Sequence, residues 1–223
     1  MNKTGIEWTD YTWNPVTGCK HDCRFCYARA MYRRFGESFE PRFRPERLDG
    51  PSSIKKPSKI FVCSVADLFG EWVPDDWIRS VLSVATANLQ HTFQFLTKNP
   101  ARLPNLNPWP GNCWVGATTT DQDQWDAAVK YLPKVDASVR FISAEPLLAD
   151  IEPSDWCPEW LIIGPCTGRY ASQPSPQWVK RLELFADAHN CAVFHKPSLT
   201  SVPPARREYP TVQDSTLFRM NAK

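Results

Sequence analysis

The chain has 223 residues, 22% of them charged, and a formal net charge of +2. That length suits one α/β domain with a sizeable core, the net charge is too small to mark a nucleic-acid binder by itself, and no run of about 18 apolar residues offers a membrane span. Twenty-one prolines against nine glycines, with ten tryptophans, predict rigid loops and much indole surface, most of it for the core.

The first predicted strand, 11–16, runs into Gly18 and the segment Cys19-Lys20-His21-Asp22-Cys23-Arg24-Phe25-Cys26. Three thiolates so close, with no further cysteine until Cys63, can hold three irons of a cubane cluster and leave the fourth iron open to a ligand. A structural zinc site is the alternative, but such sites usually need a second Cys/His pair, and no second CxxC or HxxxH exists here. Eight cysteines also admit a disulfide framework. Because no apolar leader is visible, a reducing cytoplasm is the expected setting, and it disfavours disulfides.

A helix is predicted over 23–35, followed by an uneven stretch of charge. Between Arg24 and Lys59 there are ten Lys/Arg against four acids, interleaved with Tyr32, Phe35, Phe39 and Phe43. Such a segment suits a phosphate backbone, with Arg42 and Arg44 among its contacts, or simply a solvated basic face. Further strands are predicted at 60–65, 92–96, 113–117, 139–143, 161–163 and 192–195, with helices at 75–89, 121–131 and 176–189 between them. Pro74-Asp75-Asp76, Thr120-Asp121 and Pro174-Ser175-Pro176 supply the helix starts.

Strand alternating with helix predicts a parallel sheet. The expected fold is therefore a partial or irregular (β/α) barrel of six to seven parallel strands, with a flat doubly wound sheet as the competing arrangement. A single domain is expected over 1–223, with the cysteine loop at 18–27 and an irregular tail from about 198. In a parallel barrel the loops after the strands build the site. Those strand ends carry Ser64 and Asp67; Thr97 and Lys98; Thr118; Glu145; Cys166 and Arg169; and His195 and Lys196.

The cysteine spacing, with an aromatic residue before the last thiol, resembles the signature of the radical S-adenosylmethionine (radical SAM) enzymes. Other segments resemble a short, phage-associated, three-cysteine radical SAM-like family linked to DNA base modification. These are Trp8-Thr9-Asp10, Thr12-Trp13-Asn14-Pro15, Gly18-Cys19, Ser64, Asp67-Leu68-Phe69, Leu96-Thr97-Lys98, Pro100, Arg102, Gly116, Ser143, Glu145-Pro146-Leu147-Leu148, Phe194 and Lys196. One stretch departs from the pattern: Gly164-Pro165-Cys166-Thr167-Gly168-Arg169 puts a thiol where that family usually shows a glutamate after two glycines.

The resemblance implies a 4Fe-4S cluster held by Cys19, Cys23 and Cys26, and S-adenosylmethionine as cofactor. It implies a 5'-deoxyadenosyl radical that abstracts hydrogen from an amino-acid-substituted thymine or a related group, in modified DNA or a modified nucleotide. An electron-donor protein such as a flavodoxin is the implied partner. Within that frame Phe25 packs on the adenine, Ser64 and Asp67 take the cofactor ammonium with Thr97 and Thr118 nearby, and Lys98 takes the cofactor carboxylate or a substrate phosphate. Glu145 takes the ribose or a substrate ammonium, unless a salt bridge to Lys196 occupies it. Arg169, His195 and Lys196 hold a phosphate or carboxylate. Cys166 is a core thiol, a cap on substrate shape, or a hydrogen-atom donor and acceptor. Cys63, Cys113, Cys157 and Cys191 read as packed thiols. A radical SAM enzyme on a free small molecule or a peptide, and a non-catalytic iron-sulfur or zinc module, are the other functional classes.

Overall fold

The computed structural model describes residues 1–154, 156–203 and 205–211. Its elements, in chain order, are β1 (Asn2–Lys3), β2 (Tyr11–Trp13), β3 (Val16–Thr17), α1 (Tyr27–Arg34), β4 (Arg42–Phe43), β5 (Lys59–Val62), α2 (Asp75–Ala87), β6 (Thr92–Thr97), β7 (Cys113–Thr118), α3 (Gln122–Tyr131), β8 (Val139–Ala144), β9 (Trp160–Ile163), α4 (Pro176–Ala188) and β10 (Ala192–His195). The main sheet has the order β1-β2-β5-β6-β7-β8-β9-β10, parallel from β2 to β10, with β1 antiparallel at one edge. A doubly wound sheet reverses its strand order at a switch point. Here the order only advances, which excludes that fold.

The sheet is curled. Trp8, in the segment leading to β2, packs edge-on against Phe61 of β5 at 4.8 Å and Trp160 of β9 at 6.0 Å, so one ring touches strands far apart in the sheet. Trp114, Phe141, Trp160, Ile162 and Phe194 fill the inside with Trp8. Gly116 makes room, since a Cβ there would lie 2.7 Å from the Phe141 ring. Alternate residues, such as Ile60, Val62, Phe93, Phe95, Val115, Ile142, Leu161 and Val193, face outward into a second core. Ile78, Val81 and Ala85 of α2, Trp125 and Ala128 of α3, and Val179, Leu182 and Ala186 of α4 close that core at helical spacing. Each fully buried aliphatic or aromatic side chain stabilises by about 1.5–3 kcal/mol.

The barrel is incomplete, for β1 and β10 are the two ends of the sheet order. Beyond 198 the chain covers the β10 edge: His195 N–H donates to Arg206 O and Glu208 N–H to Val193 O, both at 2.9 Å. Tyr209 then stacks on Trp160 at 5.5 Å, and its hydroxyl donates to Glu7 O. A strand edge is thereby paired rather than left open.

Candidate active site

The three-cysteine loop leaves the sheet at Gly18. Its φ is +82°, and a Cβ would sit 2.2 Å from Glu40 O, so only glycine permits the turn. Gly18 N–H bonds to Val65 O and Cys19 N–H to Phe39 O, tying the loop to its neighbours on both sides. The expected helix at 23–35 starts only at Tyr27, because Cys26 is extended and serves as N-cap, its Sγ accepting Arg29 N–H at 3.3 Å. The Arg29 guanidinium donates to the carbonyls of Cys19 and His21. It spans the loop from inside.

Asp67 anchors the same loop from the sheet side. Its Oδ1 accepts Phe69 N–H at 3.0 Å and the Thr97 hydroxyl at 2.7 Å, while Oδ2 accepts Lys98 N–H at 2.8 Å and lies 2.9 Å from His21 Nε2. Burial alone would raise this carboxyl, but the bonds from His21, Lys98 N–H and Thr97 hold it below the ordinary carboxylate range. All four acceptor directions are filled. The expectation that Asp67 takes a cofactor ammonium therefore meets a carboxylate already engaged in binding the cysteine loop to the ends of β5 and β6. The Thr97 hydroxyl belongs to this network, whereas Ser64 Oγ donates to Asn14 Oδ1 in a separate contact.

A cavity of about 620 Å³ opens at the strand ends, lined by His21, Asp22, Cys23, Arg24, Phe25, Lys98, Thr120, Gln124, Leu148, Cys166 and Tyr170. This brings together Cys23, Phe25, Lys98 and Cys166 of the expected residues. Cys166 is 4% exposed, and reciprocal bonds between its backbone and that of Ser172 hold it at the base of a tight loop. Thr118 is buried at the end of β7 and does not line the cavity; Thr120 and Gln124, which sequence reasoning missed, do.

Among the described residues no three Cys, His, Asp or Glu side chains converge where a single ion would sit. A cubane asks for something different, since each cysteine holds a separate iron. Cys19, Cys23 and Cys26 are all free and partly buried on one loop, a donor set that fits three irons better than the four ligands of structural zinc. Burial raises the Cys19 thiol to about 11 and raises that of Cys23 as well. Both are protonated at neutral pH, so metal must displace their protons.

Glu145 and Lys196 do not line this cavity. Lys196 Nζ lies 2.8 Å from Glu7 and 3.6 Å from Glu145, the salt bridge weighed from sequence. Gly164 allows their approach, since a Cβ there would be 2.7 Å from Lys196 Cγ and 3.0 Å from Glu145 Cγ. Burial nonetheless pushes the Glu145 carboxyl up. His195 corrects the expectation of substrate binding. It is wholly buried on the outer face of β10, its Nδ1 accepting Arg206 N–H and its Nε2 3.2 Å from Glu183 of α4. Arg42 is exposed on β4, whereas Arg44 Nε donates to the Thr17 hydroxyl at 3.4 Å. Arg169 is exposed beside Tyr170, its Cζ 5.8 Å from the ring centroid. Among the described residues no helix is long and apolar enough to cross a membrane.

The fold is similar to that of spore photoproduct lyase. A cysteine-to-serine variant of the lyase matches with a TM-score of 0.55 at 13% identity, over 74% of this chain and 58% of the lyase. A double variant with bound AdoMet and dinucleoside spore photoproduct matches with 0.54 at 14%, and the lyase complexed with the dinucleoside spore photoproduct with 0.55 at 11%, each over 82% of this chain and 62% of the lyase. The chain thus spans about three-fifths of the length of those proteins. No curated protein matches it. The model of a family described as "Protein of unknown function (DUF5131)" matches residues 3–203, and the chain belongs to that family.

Proposed function

We propose that the protein is a radical SAM enzyme acting on a nucleobase-linked group, in DNA or in a free modified nucleotide. The observation that carries the reading is that one cavity, at the strand ends of an incomplete parallel barrel, is lined both by residues 21–25 of the three-cysteine loop, Cys23 among them, and by the buried Cys166. A cluster on Cys19, Cys23 and Cys26 would supply the single electron that splits S-adenosylmethionine into methionine and a 5'-deoxyadenosyl radical. The likeness to a lyase that has been seen with AdoMet and dinucleoside spore photoproduct supports this choice of substrate class.

In this reading Phe25 offers an apolar wall to the adenine, and Lys98 Nζ meets the cofactor carboxylate. The Asp67 network holds the loop in register with Lys98, rather than touching the cofactor. Glu145, paired to Lys196 and raised by burial, serves a hydroxyl or ammonium of substrate or cofactor at the rim. Cys166 would give a hydrogen atom to a substrate radical, its S–H bond breaking as the substrate C–H bond forms, and the thiyl radical left behind would be returned to the thiol by a hydrogen atom from 5'-deoxyadenosine. Isomerisation of an amino-acid-substituted thymine in phage DNA, with a flavodoxin-like electron donor, is the finer form of the proposal.

Anaerobic reconstitution tests it. The expected protein is brown, carries about four irons per chain, and after reduction cleaves S-adenosylmethionine to 5'-deoxyadenosine. A colourless protein with one zinc would end the proposal.

A further inference from the structure

Two arginines from distant parts of the chain meet at one ring on the cavity mouth. Arg24, in the cysteine loop, brings its Cζ within 5.5 Å of the Tyr170 centroid, and Arg169 within 5.8 Å. Tyr170 is 44% exposed and lines the cavity. The arginine ion pairs among the described residues, at Arg79, Arg102, Arg140, Arg181 and Arg206, include neither Arg24 nor Arg169. The lining itself holds two cations, Arg24 and Lys98, against Asp22 as the acid, and Arg169 stands outside it against Tyr170.

Two guanidiniums outside any ion pair, with a single acid in the lining, favour an anion, and a guanidinium fork matches a phosphate. The walls behind them are different. Leu148 and the Tyr170 ring offer a flat or apolar body somewhere to go, and the volume lies within the ~300–1,000 Å³ usual for ligand pockets. A molecule with a charged phosphate and an apolar-faced ring fits that polarity.

The loop that carries Tyr170 also carries Cys166. The backbones of Cys166 and Ser172 bond reciprocally at 3.1 and 3.0 Å, making a small hairpin whose base is the buried thiol and whose tip is the short turn Gly168–Tyr170. A phosphate gripped at the tip would hold the attached base at a set depth from the thiol.

We infer that Arg24 and Arg169, gathered by Tyr170, form the phosphate-binding site of a nucleotide-type substrate whose base enters the cavity toward Cys166. The inference rests on the proposed substrate class and deepens it, placing the phosphate contact at this mouth rather than at the Arg42–Arg47 segment.

Binding of the full-length reconstituted protein to thymidine 5'-monophosphate, a ten-residue oligothymidylate, thymidine and inorganic phosphate tests it. The Arg24→Gln/Arg169→Gln variant is expected to weaken the monophosphate and the oligonucleotide at least tenfold, and to lower the salt slope for the oligonucleotide by about 0.7 for each phosphate that is no longer neutralised. Its binding of thymidine should not change. Tyr170→Leu, which frees the two side chains, should give an intermediate loss. Arg181→Gln, on the far helix, should change nothing, and an unaltered melting temperature in each variant separates weaker phosphate binding from unfolding. Arg24→Lys/Arg169→Lys keeps the charge and should recover part of the affinity.

Preference for the oligonucleotide over the monophosphate would make the source a DNA strand; the reverse would make it a free nucleotide. Both support the site. Wild-type affinity and salt slope in the double glutamine variant, or no binding of the monophosphate or the oligonucleotide by the wild type, would overturn it. Binding here needs no radical chemistry. A protein that binds these probes yet never cleaves S-adenosylmethionine would refute the proposed function and leave the phosphate site standing.

Discussion

His21 Nε2 and Asp67 Oδ2 lie 2.9 Å apart, joining the middle of the cysteine loop to a buried carboxylate that also receives Lys98 N–H and the Thr97 hydroxyl. Strand end, loop and cavity wall therefore share one anchor. Trp72 packs edge-on against the same imidazole at 4.8 Å and shields the pair.

Asp67→Asn should destabilise the protein more than an ordinary surface change. Whichever way the amide turns, its NH2 faces a backbone donor, and each buried donor left unpaired costs about 1–3 kcal/mol. Denaturant unfolding should show that loss, and the iron retained after reconstitution should fall with it. His21→Ala, which removes one bond of the four, should cost less. A stable, fully loaded Asp67→Asn protein would mean that the carboxylate is not the anchor.

Cys19→Ala, Cys23→Ala and Cys26→Ala should each abolish cluster assembly, because a cubane with three protein ligands has no local substitute for a missing one. Cys157→Ala and Cys191→Ala should keep the full iron content. These two thiols belong together elsewhere, with Cys191 held well above the usual thiol range by its bond to Cys157 and by burial. Dependence of iron on either of them would contradict an open iron on the loop.

Much of the scaffold is legible from residue pattern alone. The beta-branched, apolar run expected at 139–143 forms β8, and the amphipathic spacing expected at 75–89 forms α2, because both bury a face large enough to override local alternatives. Two-residue strands such as β1 and β4 carry no such signal. At the site, the cysteine loop stands out by spacing, but the work of Asp67 does not: an acid after a strand looks the same whether its oxygens are free or filled by four donors. His195 fails for a different reason: β10 spans 192–195 as expected, but period-two alternation turns Phe194 inward and His195 outward against α4, so the last residue of the strand faces away from the barrel interior. Tyr170 is invisible until Arg24 and Arg169, 145 positions apart in sequence, are seen at one ring.

Stability should fall on mild acidification through His195. Burial, with Arg206 and Arg207 nearby, outweighs Glu183 and Glu208 and lowers its pKa below the ordinary value of 6.5. The unfolded chain then binds the proton more tightly than the folded one. The contribution is fully present above about pH 6.5 and is lost as pH drops toward and through the folded value, at no more than about 1.4 kcal/mol per pH unit. His195→Asn retains an acceptor for Arg206 N–H and cannot titrate, so its unfolding free energy should depend less on pH between 6.5 and 5. Parallel pH profiles for the two proteins would assign the acid sensitivity to other groups.

Replacing Arg42, Arg44 and Arg47 together should act on the fold before it acts on any nucleic acid. Arg44 Nε donates to the Thr17 hydroxyl, and Arg47 donates to Asn14 O while its own carbonyl accepts the Trp13 indole at 2.7 Å. These contacts brace the antiparallel β3–β4 pair and the segment after it against the stretch that leads into Gly18 and the cysteine loop. The triple alanine variant should therefore melt lower and lose iron, whereas Arg42→Ala alone, which removes an exposed side chain, should do neither. Comparing salt dependence of oligonucleotide binding in Arg42→Ala and in the Arg24→Gln/Arg169→Gln variant decides where phosphates are met: the slope should stay unchanged in the first and fall in the second. A slope that falls only with Arg42→Ala would move the nucleic-acid contact to the basic segment and away from the cavity mouth.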